Sequence, residues 1–389
     1  MRILFILHPS GPSEGSSIAV LSIIKHLVMA GHEVSAVMPH LGEMVDALKD
    51  IGIKIFIVKY RNAVYPKLYT TKSLLSWPIR CFDMIWGNGR AEKKLINIIH
   101  IIKPDIIHTN VGVINIGYYV AKRMGIPHVW HIRETEKSLG SHHYPSYKKH
   151  CRLLYDNDFN IAITNSVKHY YSLSDNNTIV VYDGVFASSF IPKTPEKKSN
   201  YFLFVGRITK SKGVDWAVDA FMMLASQEPT MELWLAGDDS TPYAIELKAR
   251  LCNYPHKARI KFLGVRNDIY ELLSASQAVL VPAKDEGFGF VTVEAMLNRT
   301  IVIGRNTSGT KEQFDNGYEL CGREVGLRCE SVEEMASHMN AVCFHGQSFF
   351  SEMIASAEKV VRQLYSVEHN AEQIMKIYQK ISSSREENK

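Results

Sequence analysis

The stretch DEGFGFVTVEAM, residues 285 to 296, sets one carboxylate just before a glycine–aromatic turn and a second on the segment that follows. Gly287 and Gly289 let backbone N–H groups approach a ligand closely. The helix predicted from Phe290 to about Leu297 points its positive end the same way, which favours phosphate. Carboxylates beside an anion site are repelled unless they serve its neutral hydroxyls. Glu286 and Glu294 flanking a diphosphate cradle therefore fit a nucleotide sugar, a ligand with a hydroxyl-rich group at each end. Glu294 would accept from ribose hydroxyls and Glu286 from those of the sugar being transferred. Upstream, FVGRITKSKG leaves a strand at Gly206-Arg207 and opens a helix at Lys212-Gly213. An arginine and a lysine five apart can converge on one dianion, Arg207 as a bidentate fork and Lys212 as a point charge. The bland alternative is a pair of surface cations.

The elements that must hold these groups follow from the hydrophobic pattern. RILFIL, EVSAVM, IKIFIV, DIIHTN, HVWHI and NIAITN read as strands, with helix-like IAVLSIIKHLVMAG and INIGYYVAKRMG between them, each ending at a glycine stop. After VFASSFIPKTPEKKSN, a linker-like run from Val185 to Asn200, the pattern restarts with YFLFVGR, MELWLAG, RIKFLG, AVLVPA and RTIVIG. Such alternation predicts an α/β fold of two Rossmann-like domains facing each other across a cleft. The expected domains are residues 1–190 and 191–389, with the final helix able to cross back onto the first. Ligands in such sheets sit beyond the carboxyl ends of the strands, where the Glu286, Arg207 and Lys212 loops fall.

At 389 residues the chain is too long for one core, and its 46% hydrophobic and 22% charged content is that of a soluble globular protein. MRILFILHPSG reads as a first strand rather than a leader. No stretch approaches the roughly 18 apolar residues of a spanning helix. Cys81, Cys151, Cys252, Cys321, Cys329 and Cys343 are scattered without C-x-x-C spacing. They are expected to be reduced thiols of a cytoplasmic protein.

The net charge of +5 is concentrated. Between Arg61 and Lys94 lie Arg61, Lys67, Lys72, Arg80, Arg90, Lys93 and Lys94 against only Asp83 and Glu92, interleaved with Tyr65, Tyr69, Trp77, Phe82 and Trp86. Such a segment suits a polyanion or an anionic membrane surface, or else is a solvated insertion with a few core aromatics.

Taken together, GRITKSKG, GVRNDIYELLSASQAVLVPAKDEGFGFVTVEAM, EGSSIAVLSIIKHLVMAGHEV and HIRE at 131 to 134 resemble the retaining glycosyltransferases of family 4, which have the GT-B fold. The resemblance touches both halves and implies transfer of a sugar from a nucleotide-sugar donor to an acceptor hydroxyl. It implies that Arg207 and Lys212 hold the diphosphate beside Gly206, with Glu286 on the donor sugar and Glu294 on the ribose. The backbone of Gly287, Phe288, Gly289 and Phe290 would line phosphate and sugar, and Val265 and Arg266 after Gly264 would touch the base. Gly15 matches the second glycine of the family's amino-terminal loop, and His131 the histidine facing the donor sugar. The acceptor would be a saccharide or lipid-linked saccharide of bacterial surface polysaccharide or lipid-linked oligosaccharide assembly. Membrane contact would run through Arg61 to Lys94 at the inner face, and nucleic acid is not an expected partner. No cofactor and no metal are expected.

The chain departs from the family at Glu14, in place of the first loop glycine, at Arg299 and Ile301 in LNRTIVIG, and at Thr307-Ser308 before Gly309; Glu312 fits the acidic position that follows. GDDS at 237 to 240 resembles the carboxylate pair of metal-dependent transferases, though it falls where the family has a polar turn. His142, His143 and His150 read as a mobile acceptor-side loop rather than a zinc site. Arg133 and Glu134 read as an ion pair holding the His131 loop, or as substrate contacts. Two rival functions share the ligand: a nucleotide-sugar epimerase of similar fold, and a non-catalytic sugar-nucleotide-binding protein. A dinucleotide-dependent dehydrogenase is disfavoured, because neither half has G-x-G-x-x-G after its first strand.

Overall fold

Strands with β-branched and aromatic runs pair in register, and two parallel sheets result. The computed structural model describes residues 1–8, 11, 15–66, 71–193 and 195–386. Glu14, Lys67 and Tyr69 lie outside the described residues, as do the side chains of Lys72, Arg80 and Asp83. The chain forms two units, Met1–Gly184 with Val367–Lys389, and Val185–Ser366.

In chain order the first unit has β1 (Arg2–Leu7), β2 (Glu33–Met38), β3 (Lys54–Ile57), β4 (Val64–Pro66), β5 (Ile106–Asn110), β6 (His128–Ile132), β7 (Ser141–His143), β8 (Phe159–Ala162) and β9 (Thr178–Val180). Seven of these make a sheet in the order β3-β2-β1-β5-β6-β8-β9, parallel at every pairing. Alternation along β1 divides the core. Ile3, Phe5 and Leu7 join a cluster with Val20 and Ile24 of helix Gly15–Met29 and with Ile374 and Tyr378 of helix Val367–Glu386. Leu4 and Ile6 face the opposite way, toward Leu95 and Ile99 of helix Thr71–Ile102 and Val120 of helix Ile116–Met124. Gly125 ends the last of these in a left-handed conformation, as its glycine stop predicts.

The second unit contributes β10 (Tyr201–Val205), β11 (Glu232–Ala236), β12 (Ile260–Gly264), β13 (Ala278–Val281), β14 (Ile301–Arg305) and β15 (Leu327–Cys329). Their order is β12-β11-β10-β13-β14-β15, so the connections reverse direction between β10 and β13. Neighbouring strands that leave in opposite directions open a crevice at their carboxyl ends, the topological switch point where such sheets take ligands. Phe202, Phe204, Leu233, Leu280 and Ile303 fill the core beneath it.

Three expectations are corrected. The boundary falls at Gly184, not 190, because Val185 N–H donates to Tyr365 O at 2.9 Å and Phe186 bridges Ser366, tying the start of the supposed linker into the second unit. The run beyond it is anchored as well: Lys198 Nζ donates to Ser274 O at 2.6 Å and to Thr300 Oγ1 at 3.1 Å. His143 is no loop residue. It sits on β7, antiparallel to β4, with its buried ring stacked on His150 at 3.6 Å.

Candidate functional site

The loops leaving β10 and β13 meet at the switch point. Gly213 has φ 69°, and a Cβ there would stand 2.4 Å from Pro282 O, so only glycine lets the two backbones touch. The touching loops carry the chemistry. Lys212 Nζ donates to Glu286 Oε1 at 2.8 Å and Oε2 at 2.7 Å, a two-point ion pair between groups 74 residues apart. Arg207 is exposed on the same loop and has no hydrogen-bond or ion-pair partner among the described residues. The two cations therefore differ: one stands ready for an anion, and the other is already occupied by the carboxylate expected to serve the sugar.

The glycine turn is held from behind. Gly289, at φ 94°, caps helix Phe290–Leu297. Buried Gln313 on helix Ser308–Cys321 donates through Nε2 to Phe288 O at 2.8 Å and Gly289 O at 3.2 Å, and Gly309 N–H donates to Glu286 O at 3.1 Å. The Phe288 ring is buried against Tyr365 and Phe290. Phe288 thus anchors the turn through its side chain. Gln313 escapes sequence reasoning. Its one signal is an amide set just before Phe314 on the buried face of a helix, where an apolar residue is the norm.

Glu294 stands one turn into that helix with no hydrogen-bond donor or cation on its carboxylate among the described residues. It lines a cavity of about 410 Å³ with Asn267, Tyr270, Ser274, Asn298 and Phe190. Burial raises its carboxyl from an ordinary 4.5 to about 7. Burial, and then the neighbouring Glu294, hold the Tyr270 phenol up at about 12. An unpaired, half-buried carboxylate beside a largely apolar cavity is an acceptor without donors. Val265 and Arg266, expected to touch the base, lie outside that cavity. Val265 is 77% exposed, and Arg266 closes on Asp268, Nε to Oδ1 at 2.8 Å. Neither lines the cavity, whereas Asn267 and Tyr270 do.

In the first unit Gly15 opens helix Gly15–Met29 directly after the β1 loop. His131 lies within β6, opposite Asn110 of β5, and its ring is fully buried. The Arg133–Glu134 pair does not form. Arg133 makes a buried ion pair with Asp183 and donates through Nε to Asn110 Oδ1 at 2.8 Å. Glu134 instead accepts from Val113 N–H at 3.1 Å, and burial holds its carboxyl up at about 7. In GDDS the carboxylates are engaged separately, Asp238 by Ser240 N–H at 3.0 Å and Asp239 by Lys248 Nζ at 2.5 Å. Among the described residues no group of three His, Cys, Asp or Glu is placed to hold a metal ion.

Residues 187–340 match the family model of glycosyl transferases group 1. An uncharacterised glycosyltransferase of Methanocaldococcus jannaschii is 23% identical over 94% of each chain. A lipopolysaccharide core biosynthesis mannosyltransferase of Rhizobium meliloti is 25% identical over 53% of this chain and 61% of its own. In three dimensions the chain resembles Anabaena HepE, solved in complex with UDP-glucose, at TM-score 0.75 and 19% identity over 98% of this chain and 100% of the other. The fold is that of the GT-B glycosyltransferases.

Two outcomes test the site. Glu286→Gln removes the counter-ion of Lys212, so affinity for nucleoside diphosphate should rise about three- to tenfold by calorimetry. Unchanged or weaker binding means Lys212 takes no phosphate. Glu294, with its folded pKa raised, contributes stability that is complete below about pH 4.5 and lost as pH rises through about 7. Glu294→Gln should therefore raise Tm by about 2–4 °C at pH 8 and leave it unchanged at pH 5. The same change should weaken nucleotide binding. A Tm unmoved at pH 8 means the carboxylate is already satisfied.

Proposed function

We propose that this chain, whose residues 187–340 match the family model of glycosyl transferases group 1, moves a sugar from a nucleotide-sugar donor to an acceptor hydroxyl with retention at the anomeric carbon. The observation that carries the reading is the pairing, at one switch point, of phosphate-seeking cations with two carboxylates in different states. Glu286 is held by Lys212, and Glu294 is unpaired in its cavity. A diphosphate arriving at Arg207 and Lys212 competes for the ammonium and releases Glu286 to accept from the donor-sugar hydroxyls. Glu294 accepts from the ribose, and the Gly287 to Phe290 backbone lines the phosphates. HepE, a neighbour in fold, binds UDP-glucose, which supports a nucleotide-sugar donor.

Bond breaking leaves negative charge on the diphosphate, and Arg207, Lys212 and the start of helix Phe290–Leu297 stabilise it. The leaving diphosphate then helps to deprotonate the acceptor. With that charge supplied by side chains and backbone, transfer runs without a divalent metal. The Rhizobium relative supports an acceptor in surface polysaccharide assembly, saccharide or lipid-linked saccharide. Among the described residues no helix is long and apolar enough to cross a membrane. Helix Thr71–Ile102 instead exposes Ile79 (72%), Phe82 (62%) and Trp86 (57%) at spacings of three and four, followed by exposed Arg90 and Lys93. One helical stripe thus runs from apolar to cationic, the pattern of an interfacial contact with an anionic leaflet. Tyr65 and Trp77, ring centroids 4.2 Å apart, pack against each other rather than serving that surface.

Two measurements test the reading. A thermal-shift series against UDP-, GDP- and ADP-sugars should show one donor that raises Tm. With that donor, in the presence of chelator, Arg207→Ala and Lys212→Ala should each lower turnover by roughly two to three orders of magnitude. Near-normal turnover in both, or donor isomerised without acceptor, overturns transfer. Separately, the protein should sediment with anionic vesicles at low salt and be released as salt rises. Phe82→Ser with Trp86→Ser, or Arg90→Glu with Lys93→Glu, should abolish sedimentation and spare donor binding. Protein that stays in the supernatant at low salt is not membrane-bound through this helix.

A further inference from the structure

A further cavity, of about 460 Å³, opens at the amino ends of the second sheet, opposite the switch point. Lys198, Gln277 and Arg299 on its wall stand just before β10, β13 and β14. β10 is five residues long, so roughly 15 Å of strand separates this cavity from the Arg207 loop. Arg299 is held on the wall against the preference of its own backbone. Its N–H donates to Met296 O at 3.1 Å and that of Thr300 to Ala295 O at 3.0 Å, a Schellman end to helix Phe290–Leu297. The turning residue of that motif is left-handed, and Arg299 has φ 55°. Glycine is the usual occupant because any Cβ is strained there. Nor does a close ion pair account for the arginine. Its Nη1 is 3.8 Å from Glu358, which already accepts from Arg362 Nε at 2.9 Å. A strained backbone that brings a charge to a cavity wall points to a ligand.

Lys198 brings a second positive charge to the same wall. Its Nζ is bonded to Ser274 O and Thr300 Oγ1, both neutral, and no carboxylate pairs with it among the described residues. One of its three N–H donors is left over. Burial, then Arg299, hold its ammonium down at about 8. Two cations pressed together without a counter-ion are relieved by an anion. Exposed Lys197 adds a third charge, against Glu196 as the one carboxylate on the described wall. A helix end completes the field. Ser351 lines the cavity as the first residue of helix Ser351–Leu364, which has no side-chain cap, and Glu352 of its first turn is taken by Arg323. Beyond the charges the wall is amide and hydroxyl. Gln347 Nε2 donates to Gln277 O at 2.8 Å and Oε1 at 3.3 Å, with exposed Ser348 beside it.

We propose that this cavity is a second ligand site, for a small phosphate monoester of a polyol. Lys198, Arg299 and the start of helix Ser351–Leu364 take the phosphate, and the side of Gln277, Gln347 and Ser348 takes the hydroxyls. A dianion, rather than a single carboxylate, matches two cations and a helix end. A bare phosphate ion would leave most of a cleft this size to water, whereas an ester carries hydroxyls to the amide wall. The site and the switch point lie at opposite ends of the same strands, so both can be filled at once. The assignment does not depend on the transferase reading.

Calorimetry of the full-length protein against hexose, pentose and glycerol phosphates tests the site, with inorganic phosphate and the free sugars as controls. The titrations are made on Arg207→Ala with Lys212→Ala, so that the cations of the switch point cannot contribute. At least one ester should bind, roughly tenfold or more tighter than inorganic phosphate, and the free sugars should not. Adding Arg299→Gly, which removes the charge and relaxes the backbone, should weaken that ester by roughly tenfold or more. It should leave the Tm of the ligand-free protein within about 2 °C. Lys198→Met should weaken the ester as much. If that variant fails to fold, Arg299→Gly decides, since it changes an exposed residue at a turn that glycine prefers. In the unmodified protein, saturating UDP should leave the affinity for the ester unchanged. Absence of binding by every ester, or binding no tighter than that of inorganic phosphate, overturns the proposal. So does binding that Arg299→Gly leaves untouched, and so does competition with UDP, which places the ester at the switch point.

Discussion

The second unit depends on the contact between Gly213 and Pro282. Two loops that leave neighbouring strands in opposite directions would normally part, and here they touch because one residue has no Cβ. From that contact follows the 2.7 Å approach of Lys212 to Glu286, and from the approach follows a site whose cation and carboxylate neutralise each other before any ligand arrives. Burying either charge alone would be costly, and the partly exposed pair is cheap to hold and cheap to break. The Gln313 and Gly309 bonds behind the turn stiffen the other side, so that breaking the pair need not disturb the backbone.

The first unit solves a different problem. It buries five histidines, His108, His128 and His131 on the seven-stranded sheet and His143 and His150 beside it, along with Arg133 and Asp183. Each ring keeps its uncharged form through the packing around it. His128 lies between Thr109 Oγ1 at 2.8 Å and Asn157 Oδ1 at 2.6 Å, and burial depresses it to about 4. Polar groups threaded through a hydrophobic sheet in this way specify one arrangement of strands, since any register slip strands a donor or an acceptor.

Most of the frame is legible from period and punctuation. Long strands with uninterrupted apolar runs, such as β1, β6 and β13, announce themselves because both faces are buried. The strands that escape this pattern, β4, β7, β9 and β15, are three residues each, too short to carry a periodic apolar signal. Glu286, Glu294, Arg207 and Lys212 can be named from their spacing around glycines. Their states cannot. That Lys212 is occupied and Glu294 unpaired depends on which loops touch, and the 74 residues between Lys212 and Glu286 hold no trace of the distance. The Arg133–Asp183 pair is hidden for the same reason. Adjacency in sequence favours Glu134, yet the carboxylate that meets Arg133 comes from 50 residues downstream.

The return of helix Val367–Glu386 to the first unit gives the chain a schedule. During synthesis the sheet of residues 1–184 is made first but lacks the helix that supplies Ile374, Ile377 and Tyr378 to its core. The second unit, contiguous from Val185 to Ser366, has all its parts before that helix is made. The usual amino-to-carboxyl order of domain completion is therefore inverted. Helix Val367–Glu386 is made after both sheets and completes the first, across the 270 positions that separate His108 from Tyr378. Until that helix is made, the face of the first sheet that packs on Ile374, Ile377 and Tyr378 lacks its cover.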